Sequence, residues 1–179
     1  MVGALPEGES MGSILDLQLL SPVDWRVLKA VRLRALQDSP HAFMSRYDNE
    51  LRLSDWEWRR MFDAAIWVVA READDVVGLA RSVGEATRPW TRHVESIWVA
   101  PTHRRRGVCR ALLSALADTE RRMGVTDLLI WVLEDNHGAE RAYEALGFEP
   151  TGEQQFLPTL ERFERRLRLD VRRRPGLTS

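Results

Sequence analysis

Cysteine, long apolar runs and net charge are all scarce in this sequence. A single cysteine in 179 residues, Cys109, excludes a disulfide framework within the chain and is typical of a reducing compartment. No apolar run is long enough to span a bilayer. Residues 1–13 contain neither a charged leader nor an apolar block, so we expect no secretory signal. Together these features predict a soluble, cytoplasmic protein.

The formal net charge is only −1, from 26 Lys and Arg residues against 27 Asp and Glu residues. A chain with so little net charge has no overall field to draw it to nucleic acid or to a membrane surface. The arginines at 104–106 could still bind a phosphate backbone, but no aromatic-rich RNA-binding motif accompanies them. We therefore expect neither a nucleic-acid partner nor a membrane partner.

The length and a hydrophobic fraction of 44% suit one domain with a substantial core. We assign residues 13–170 to that domain, residues 1–12 to a flexible N-terminal arm and residues 171–179 to a flexible basic tail. Apolar residues with a period of two, or in short continuous runs, predict strands at 14–20, 65–71, 76–83, 93–99, 128–133, 152–157 and 160–169. Helical spacing predicts helices that begin near Pro22, Ser54, Val108 and Asn136. Residues 41–53 are expected to be irregular.

The stretch from His93 to Leu133 is predicted to form a strand–helix–strand unit, whose two strands must run parallel. The strands at 65–71 and 76–83 are predicted to form a hairpin through residues 73–75. Helices and strands that mix in this order belong to the α/β (α+β) class. Ligands in open sheets of this kind bind beyond the carboxyl ends of the strands. The segment 104–109 and Asn136 both lie at that edge, so it is the predicted site.

Residues 95–110 read ESIWVAPTHRRRGVCR, a short apolar strand, a Pro stop, a cluster of arginines and a Gly that opens a helix. The first N–H groups of a helix lack partners and carry a partial positive charge, so they bind anions. Guanidinium groups add donors suited to phosphate, and Gly107 lets the backbone come close to a ligand. This pattern is typical of a pyrophosphate site, with a solvated basic turn as the alternative.

Ordered motifs in the same region resemble those of the Gcn5-related N-acetyltransferase (GNAT) family. The strand end Ile97-Trp98-Val99-Ala100-Pro101 precedes Arg104-Arg105-Arg106-Gly107-Val108-Cys109, which is similar to the family's Arg/Gln-x-x-Gly-x-Gly/Ala motif. Downstream, Asn136, Tyr143 and Gly147-Phe148 match the family's Asn, Tyr and Gly-Phe in order and spacing. The resemblance implies the GNAT fold, with a mixed central sheet of about seven strands, four helices and a central parallel strand pair splayed at the cofactor site.

The same resemblance implies an N-acetyltransferase that moves the acetyl group of acetyl-coenzyme A (acetyl-CoA) to a primary amine by direct attack in a ternary complex, without a metal. It places the pyrophosphate over the amides of residues 105–110 and the pantetheine arm beside residues 97–99 as an added strand. The implied cofactor-binding residues are Ile97, Trp98, Val99, Arg104, Arg105, Arg106, Gly107, Val108, Cys109, Arg110, Asn136 and Tyr143.

A non-catalytic CoA-binding sensor on this fold is the alternative function. Family members often dimerise through their last strands, so a homodimer through residues 160–169 is a further expectation.

Two residues of the predicted last helix carry most of the implied chemistry. The family commonly uses the residue matching Tyr143 as a general acid toward the leaving thiolate. A thiol has a pKa near ~8.5 and a phenol near ~10, so this proton transfer is only mildly uphill. A packing role is the alternative for Tyr143. Asn136 lies two turns away on the same helix face, where it could contact pantetheine, cap the helix, or both.

The group that takes the proton from the amine has several candidates. An alkyl ammonium has a pKa near ~10.4, so it must be deprotonated before attack. Glu95 is favoured because it lies two residues before Ile97 and so on the same strand face, with His93 or solvent as alternatives. Some family members carry a glutamate where this chain has Trp131, so that base is missing.

Cys109 stands where the family prefers Gly or Ala. We interpret it as a small packing residue, with crowding of the pyrophosphate or a reactive thiol as alternatives.

The sequence does not identify the acceptor amine, since a protein lysine, an N-terminus, a small amine and an aminoglycoside all fit the fold. In the family the region that here holds Trp56, Trp58 and Phe62 walls the acceptor site, so these residues are candidates for substrate contact as well as for core packing. The segment 48–50 is interpreted as solvated loop charge, with contact to a cationic acceptor as the alternative.

Overall fold

The computed structural model describes residues 15–173, which form one mixed sheet of seven strands flanked by helices. The strands are β1 (Leu15–Leu19), β2 (Ala65–Glu72), β3 (Asp75–Glu85), β4 (Arg88–Val99), β5 (Asp127–Leu133), β6 (Glu149–Leu157) and β7 (Arg162–Asp170). The α-helices are α1 (Trp25–Asp38), α2 (Tyr47–Leu51), α3 (Asp55–Asp63), α4 (Val108–Arg122) and α5 (His137–Glu144). The predicted fold class and the seven strands are confirmed. The five-residue helix α2 is an addition within the segment expected to be irregular.

Local sequence signals set where the helices begin and end. The Ser54 side chain accepts a hydrogen bond from the Glu57 N–H and so caps α3, and the Ser54 N–H donates in return to the Glu57 carboxylate, a capping box. Pro22 does not open α1 directly, because a short 3-10 turn at Pro22–Asp24 comes first. Gly124, with a φ of +85°, follows the end of α4 as predicted. The predicted flexible arm, residues 1–12, lies outside the described residues.

Strand order in the sheet is β1-β2-β3-β4-β5-β7-β6, and every neighbouring pair is antiparallel except β4 with β5. The parallel pair is the predicted one. It is joined only at its beginning, through three residue pairs that run from Thr91 with Asp127 to His93 with Leu129. Beyond His93 the two strands separate, which leaves the second half of β4 with a partner on one side only.

A β-bulge lies where β4 leaves β5. The pairing of β4 with β3 shifts between Arg81–Glu95 and Leu79–Trp98, so that two residues of β4, Ser96 and Ile97, oppose one residue of β3. Ser96 has a φ of +54°, which a non-glycine residue adopts at some energetic cost. A bulge of this kind bends a strand and increases its twist, which is the physical reason that β4 diverges from its parallel neighbour.

The core is formed by the sheet and by the apolar faces of the helices packed on it. Helix α4 contributes three fully buried leucines, Leu112, Leu113 and Leu116, each stabilising the fold by about 1.5–3 kcal/mol on burial. Trp58 and Phe62 of α3 are buried in the same core, as the packing alternative predicted. The first residue assigned to the tail, Val171, is also buried and donates a backbone hydrogen bond to Thr126.

None of the helices within residues 15–173 combines the length and the apolar character needed to cross a membrane.

Candidate active site

The gap between β4 and β5 opens into a cavity of about 840 Å³. Among the residues singled out from the sequence, those that line it are Glu50, His93, Glu95, Ile97, Asn136 and Tyr143. Trp131 of β5, the position that departs from the family pattern, also lines it. The strand divergence therefore brings both predicted catalytic residues and part of the predicted cofactor site around one space.

The turn from Arg104 to Gly107 and the first turn of α4 present a row of free backbone N–H groups. Within residues 15–173, no carbonyl or side chain accepts a hydrogen bond from the N–H groups of residues 105–110; the first backbone bond of the helix runs from Ala111 to the Gly107 carbonyl. Arg105 and Gly107 both have positive φ, +60° and +83°. Turns that contain such left-handed residues can direct successive N–H groups into one anion-binding concavity. The turn thus has the donors of a phosphate site.

Gly107 leaves this concavity open. A Cβ added at Gly107 would meet no atom within 4 Å, so the space over its backbone is empty of protein. Only a residue without a side chain both tolerates this φ easily and lets a ligand reach the amides.

Two of the three arginines of the motif, Arg104 and Arg106, form hydrogen bonds with neighbouring residues and so stabilise the turn. Arg104 donates to the Val99 carbonyl at 3.1 Å and to Asp38 Oδ2 at 2.8 Å. Arg106 donates to Glu72 Oε1 at 2.9 Å. Both carboxylates have lowered pKa values; the main cause is a hydrogen bond from Trp98 for Asp38 and from His103 for Glu72, with the arginines adding to it. Arg105 and Arg110 are exposed and pair with no carboxylate of the described chain.

The last residues of β4 lead from the cavity to this turn. Ile97 and Val99 are half-buried, and Trp98 is buried with its indole N–H donating to Asp38 at 3.0 Å. β5 does not pair with β4 beyond His93, so the side of this segment that faces β5 carries no strand partner among the described residues. An unpaired strand edge is a site where an extended ligand can add as a further strand.

Asn136 and Tyr143 are placed by α5. Asn136 is the N-cap of that helix, and its Oδ1 accepts from the Ala139 N–H at 3.2 Å. Tyr143 is only 7% exposed and packs against Phe148, with ring centroids 5.9 Å apart. No hydrogen-bond partner for its hydroxyl occurs within residues 15–173, although the ring lines the cavity. Capping and packing are therefore real roles of these residues, and both remain compatible with contact to a ligand.

Burial sets the proton affinity of Tyr143 and Cys109. It raises the pKa of Tyr143, and the nearby Cys109 thiol raises it further. Burial raises the pKa of Cys109 to about 11, which is the opposite of an activated helix-start cysteine. Cys109 and Val108 lie in the first turn of α4 with their side chains half-buried and buried, respectively. These positions favour the packing interpretation of Cys109.

Glu95 and His93 are both engaged with neighbouring charges. Glu95 Oε2 accepts from Arg81 Nη2 at 2.6 Å, in a pair formed across β3 and β4. His93 Nε2 lies 3.0 Å from Glu85 Oε2, and this contact is the main reason that the pKa of Glu85 is lowered. The bulge at Ser96 interrupts the alternation on which the placement of Glu95 with Ile97 was based, yet both residues line the cavity.

Comparison with known proteins identifies the family. The family model described as "Acetyltransferase (GNAT) family" matches residues 31–148, which is about two thirds of the chain. The chain belongs to the GNAT acetyltransferase family. A search of curated proteins found no match.

Solved structures of GNAT proteins have the same fold. An acetyltransferase of the GNAT family from Streptococcus pneumoniae superposes with a TM-score of 0.73 at 15% identity, covering 88% of this chain and 99% of that one. The Salmonella typhimurium protein yncA, solved with its cofactor acetyl-CoA, gives 0.67 at 21% identity, covering 92% and 99%. The ribosomal-protein-S18-alanine N-acetyltransferase from Escherichia coli gives 0.65 at 19% identity, covering 88% and 94%. At these identities the likeness establishes the fold alone.

A buried ion pair that the sequence did not indicate holds the bulge of this GNAT fold. Arg32 of α1 donates to both carboxylate oxygens of Glu50, with Nη2–Oε1 at 2.8 Å and both side chains less than 8% exposed. Its other terminal nitrogen donates to Ser96 Oγ at 3.2 Å. Glu50 is therefore a structural anchor. Its interpretation as solvated loop charge is wrong, because the carboxylate is buried in α2 and bound by Arg32. Contact of the segment 48–50 with a cationic acceptor stays a hypothesis. The partners are 18 and 64 residues from Arg32 along the chain, so no local pattern could have revealed them.

The lining of the cavity differs from the family-based expectation for the acceptor site. Trp56, Trp58 and Phe62 do not line it, since Trp58 and Phe62 lie in the core and Trp56 is exposed under Arg60. Helix α3 contributes Met61 instead. Further lining residues come from the segment before α2 and from the β6–β7 hairpin: His41, Ala42, Phe43, Met44, Ser45, Leu157, Leu160, Arg162 and Glu164.

Proposed function

We propose that this protein is an N-acetyltransferase that transfers the acetyl group of acetyl-CoA to a primary amine by direct attack in a ternary complex. The observation that carries the proposal is the row of free amides at residues 105–110 beside the unpaired edge of β4 and next to the cavity. A diphosphate and an extended amide-bearing arm are the ligand parts that such a row and such an edge bind.

Successive parts of the site fit successive parts of the acetyl-CoA molecule. The amides of residues 105–110 hold the diphosphate, helped by the α4 dipole and by the exposed side chains of Arg105 and Arg110. The free edge of β4 at Ile97–Val99 holds the pantetheine, and Asn136 borders its path. When bound, acetyl-CoA supplies an activated acetyl thioester at the cavity. No residue of this arrangement needs a metal.

Glu95 and Tyr143, which line the cavity, carry out the proton transfers of the proposed reaction. Glu95 takes a proton from the acceptor ammonium, directly or through water, so that the neutral amine can attack. Tyr143 is protonated at neutral pH, as any phenol is, and burial raises its pKa further. Its hydroxyl donates toward the leaving sulfur. Burial disfavours a thiolate in the same way, as it does at Cys109. Burial thus favours the protonated form of both groups.

Two glycines allow a matched test of the proposed diphosphate site. Gly107 and Gly152 have φ of +83° and +85°, and a Cβ at either would meet no atom within 4 Å. Gly107→Ala and Gly152→Ala therefore impose similar backbone strain, but only the first places a methyl group over the free amides. We expect a CoA-induced rise in the melting temperature of the parent and of Gly152→Ala, and its loss in Gly107→Ala.

Thiol release from acetyl-CoA in the presence of a panel of primary amines tests the reaction itself. Release that depends on an amine supports the transfer. Binding of CoA with no amine-dependent release would instead indicate a sensor, and the absence of any CoA-induced thermal shift in the parent would refute the proposal. The single cysteine leads us to propose a reducing compartment, the cytoplasm, as the place of action.

A further inference from the structure

Four carboxylates line the cavity, and three of them are paired with arginine. Glu50 pairs with Arg32, Glu95 with Arg81 and Asp135 with Arg162, at distances of 2.6 to 2.8 Å. The fourth, Glu164, forms no ion pair with any described residue and accepts a hydrogen bond only from the Gln155 side-chain amide. Glu164 is half-buried. Burial removes part of the hydration of a carboxylate, and without a nearby cation no charge interaction replaces the hydration that Glu164 loses.

Neighbouring contacts place Glu164 on the cavity face of the sheet with Glu95. Arg166, two residues further along β7, lies over the Trp131 ring and 3.2 Å from His93 Nε2. Side chains two residues apart on a strand share a face, so Glu164 and Glu95 lie on the face that Arg166 and His93 occupy. Glu164 is opposite Leu133, at the end of β5 where the cavity opens.

The cations nearest to Glu164 along β7 are already engaged. Arg162 pairs with Asp135 at 2.8 Å, and Arg166 pairs with Glu153 at 2.6 Å. Arg165 lies on the opposite face and pairs with Glu140 of α5 at 3.0 Å. The negative charge of Glu164 is therefore left for something that enters the cavity.

We infer that Glu164 binds a second ammonium group of the acceptor, so that the preferred substrates are amines with two positive charges. This inference rests on the proposed acetyltransfer. The reacting amine must lose its charge before it attacks, and a carboxylate that held it as an ammonium would oppose that step. A second ammonium stays charged throughout the reaction, so its pairing with Glu164 strengthens binding without slowing attack.

The test compares two amines of equal length, 1,4-diaminobutane and butylamine, by calorimetric titration into the CoA-saturated protein. A hydrogen-bonded charge pair shielded from water predicts that the parent binds the diamine at least about tenfold more tightly. Glu164→Gln keeps the shape of the side chain and should abolish this preference. Glu161→Gln removes the same charge in the adjoining turn, outside the cavity lining, and should retain it. Melting temperatures establish that both variants are folded.

Each outcome of this comparison has one meaning. Equal affinity of the parent for the two amines, no binding of the diamine, or a preference that survives in Glu164→Gln would overturn the assignment of Glu164. Thiol release with either amine, measured in parallel, reports on the acetyltransfer separately. A diamine preference without thiol release would leave the Glu164 site standing and count against the proposed function.

Discussion

At the scale of single residues, the proposed reaction depends most on the hydroxyl of Tyr143. Tyr143 is almost fully buried, and burial raises its pKa further above the neutral range, where a phenol is already protonated and can donate to sulfur. Tyr143→Phe keeps the ring and its contact with Phe148 but removes the proton. General acid catalysis contributes on the order of 10²–10⁴ in rate, so we expect kcat to fall at least about a hundredfold while CoA affinity changes less than about threefold.

Steady-state kinetics and calorimetry on the same preparation check this expectation. A Tyr143→Phe variant that turns over as fast as the parent would leave Tyr143 with a packing role alone. Equal losses of kcat and of CoA affinity would indicate that the ring, and not the proton, was disturbed.

Cys109 provides a pH-dependent test of burial at the first turn of α4. Only the thiolate is alkylated, and a pKa of about 11 leaves far less thiolate at pH 7.5 than the ~8.5 of a free cysteine does. Iodoacetamide should therefore modify the folded protein at least about a hundredfold more slowly than it modifies free cysteine. Because the pKa is raised, the rate should keep increasing as the pH rises through 10.

The urea-unfolded chain is the control, since its only cysteine should react like the free amino acid. Rapid alkylation of the folded protein at pH 7.5 would show that Cys109 is an activated thiol after all.

At the scale of structural elements, the Arg32–Glu50 pair joins α1 and α2 to the bulge of β4. Glu50→Gln removes one charge and leaves the buried guanidinium uncompensated, which costs about 3–5 kcal/mol in comparable cases. We expect a loss of that order in the free energy of unfolding, measured by urea denaturation. Asp118→Ala, which breaks an exposed pair with Arg121 on the surface of α4, should cost less than about 1 kcal/mol.

This contrast separates a buried anchor from a surface contact. A Glu50→Gln variant no less stable than Asp118→Ala would mean that the Arg32–Glu50 pair does not hold the bulge.

The same elements show what local sequence can and cannot predict. All seven strands and the four longer helices could be predicted, because each carries its own periodicity and several carry capping signals such as Ser54 and Asn136. The five residues of α2 are too few to show a period. The bulge at Ser96 depends on how β4 pairs with β3. One extra residue does not change the composition of a strand enough to be recognised, so the bulge could not be predicted.

At the scale of the whole molecule, the site results from topology. One parallel pair within an otherwise antiparallel sheet puts the carboxyl ends of β4 and β5 at one edge, and the bulge separates them there. Motif order predicted the turn at Gly107 and the roles of Asn136 and Tyr143, and strand alternation favoured Glu95; Glu95, Asn136 and Tyr143 line the cavity. Glu164 and Arg32 could not be predicted, because what distinguishes them is which partners they have or lack in the folded chain. The homodimer through the last strands stays a prediction.

The central claim is that the backbone amides around Gly107 bind a diphosphate. The most direct measurement is an amide ¹H–¹⁵N NMR titration of the ¹⁵N-labelled protein with CoA and, separately, with pantetheine, which lacks the diphosphate. We predict that CoA shifts the resonances of residues 105–110 and of Ile97–Val99, whereas pantetheine shifts only the β4 residues. Resonances of residues 105–110 that stay in place at saturating CoA would contradict the account.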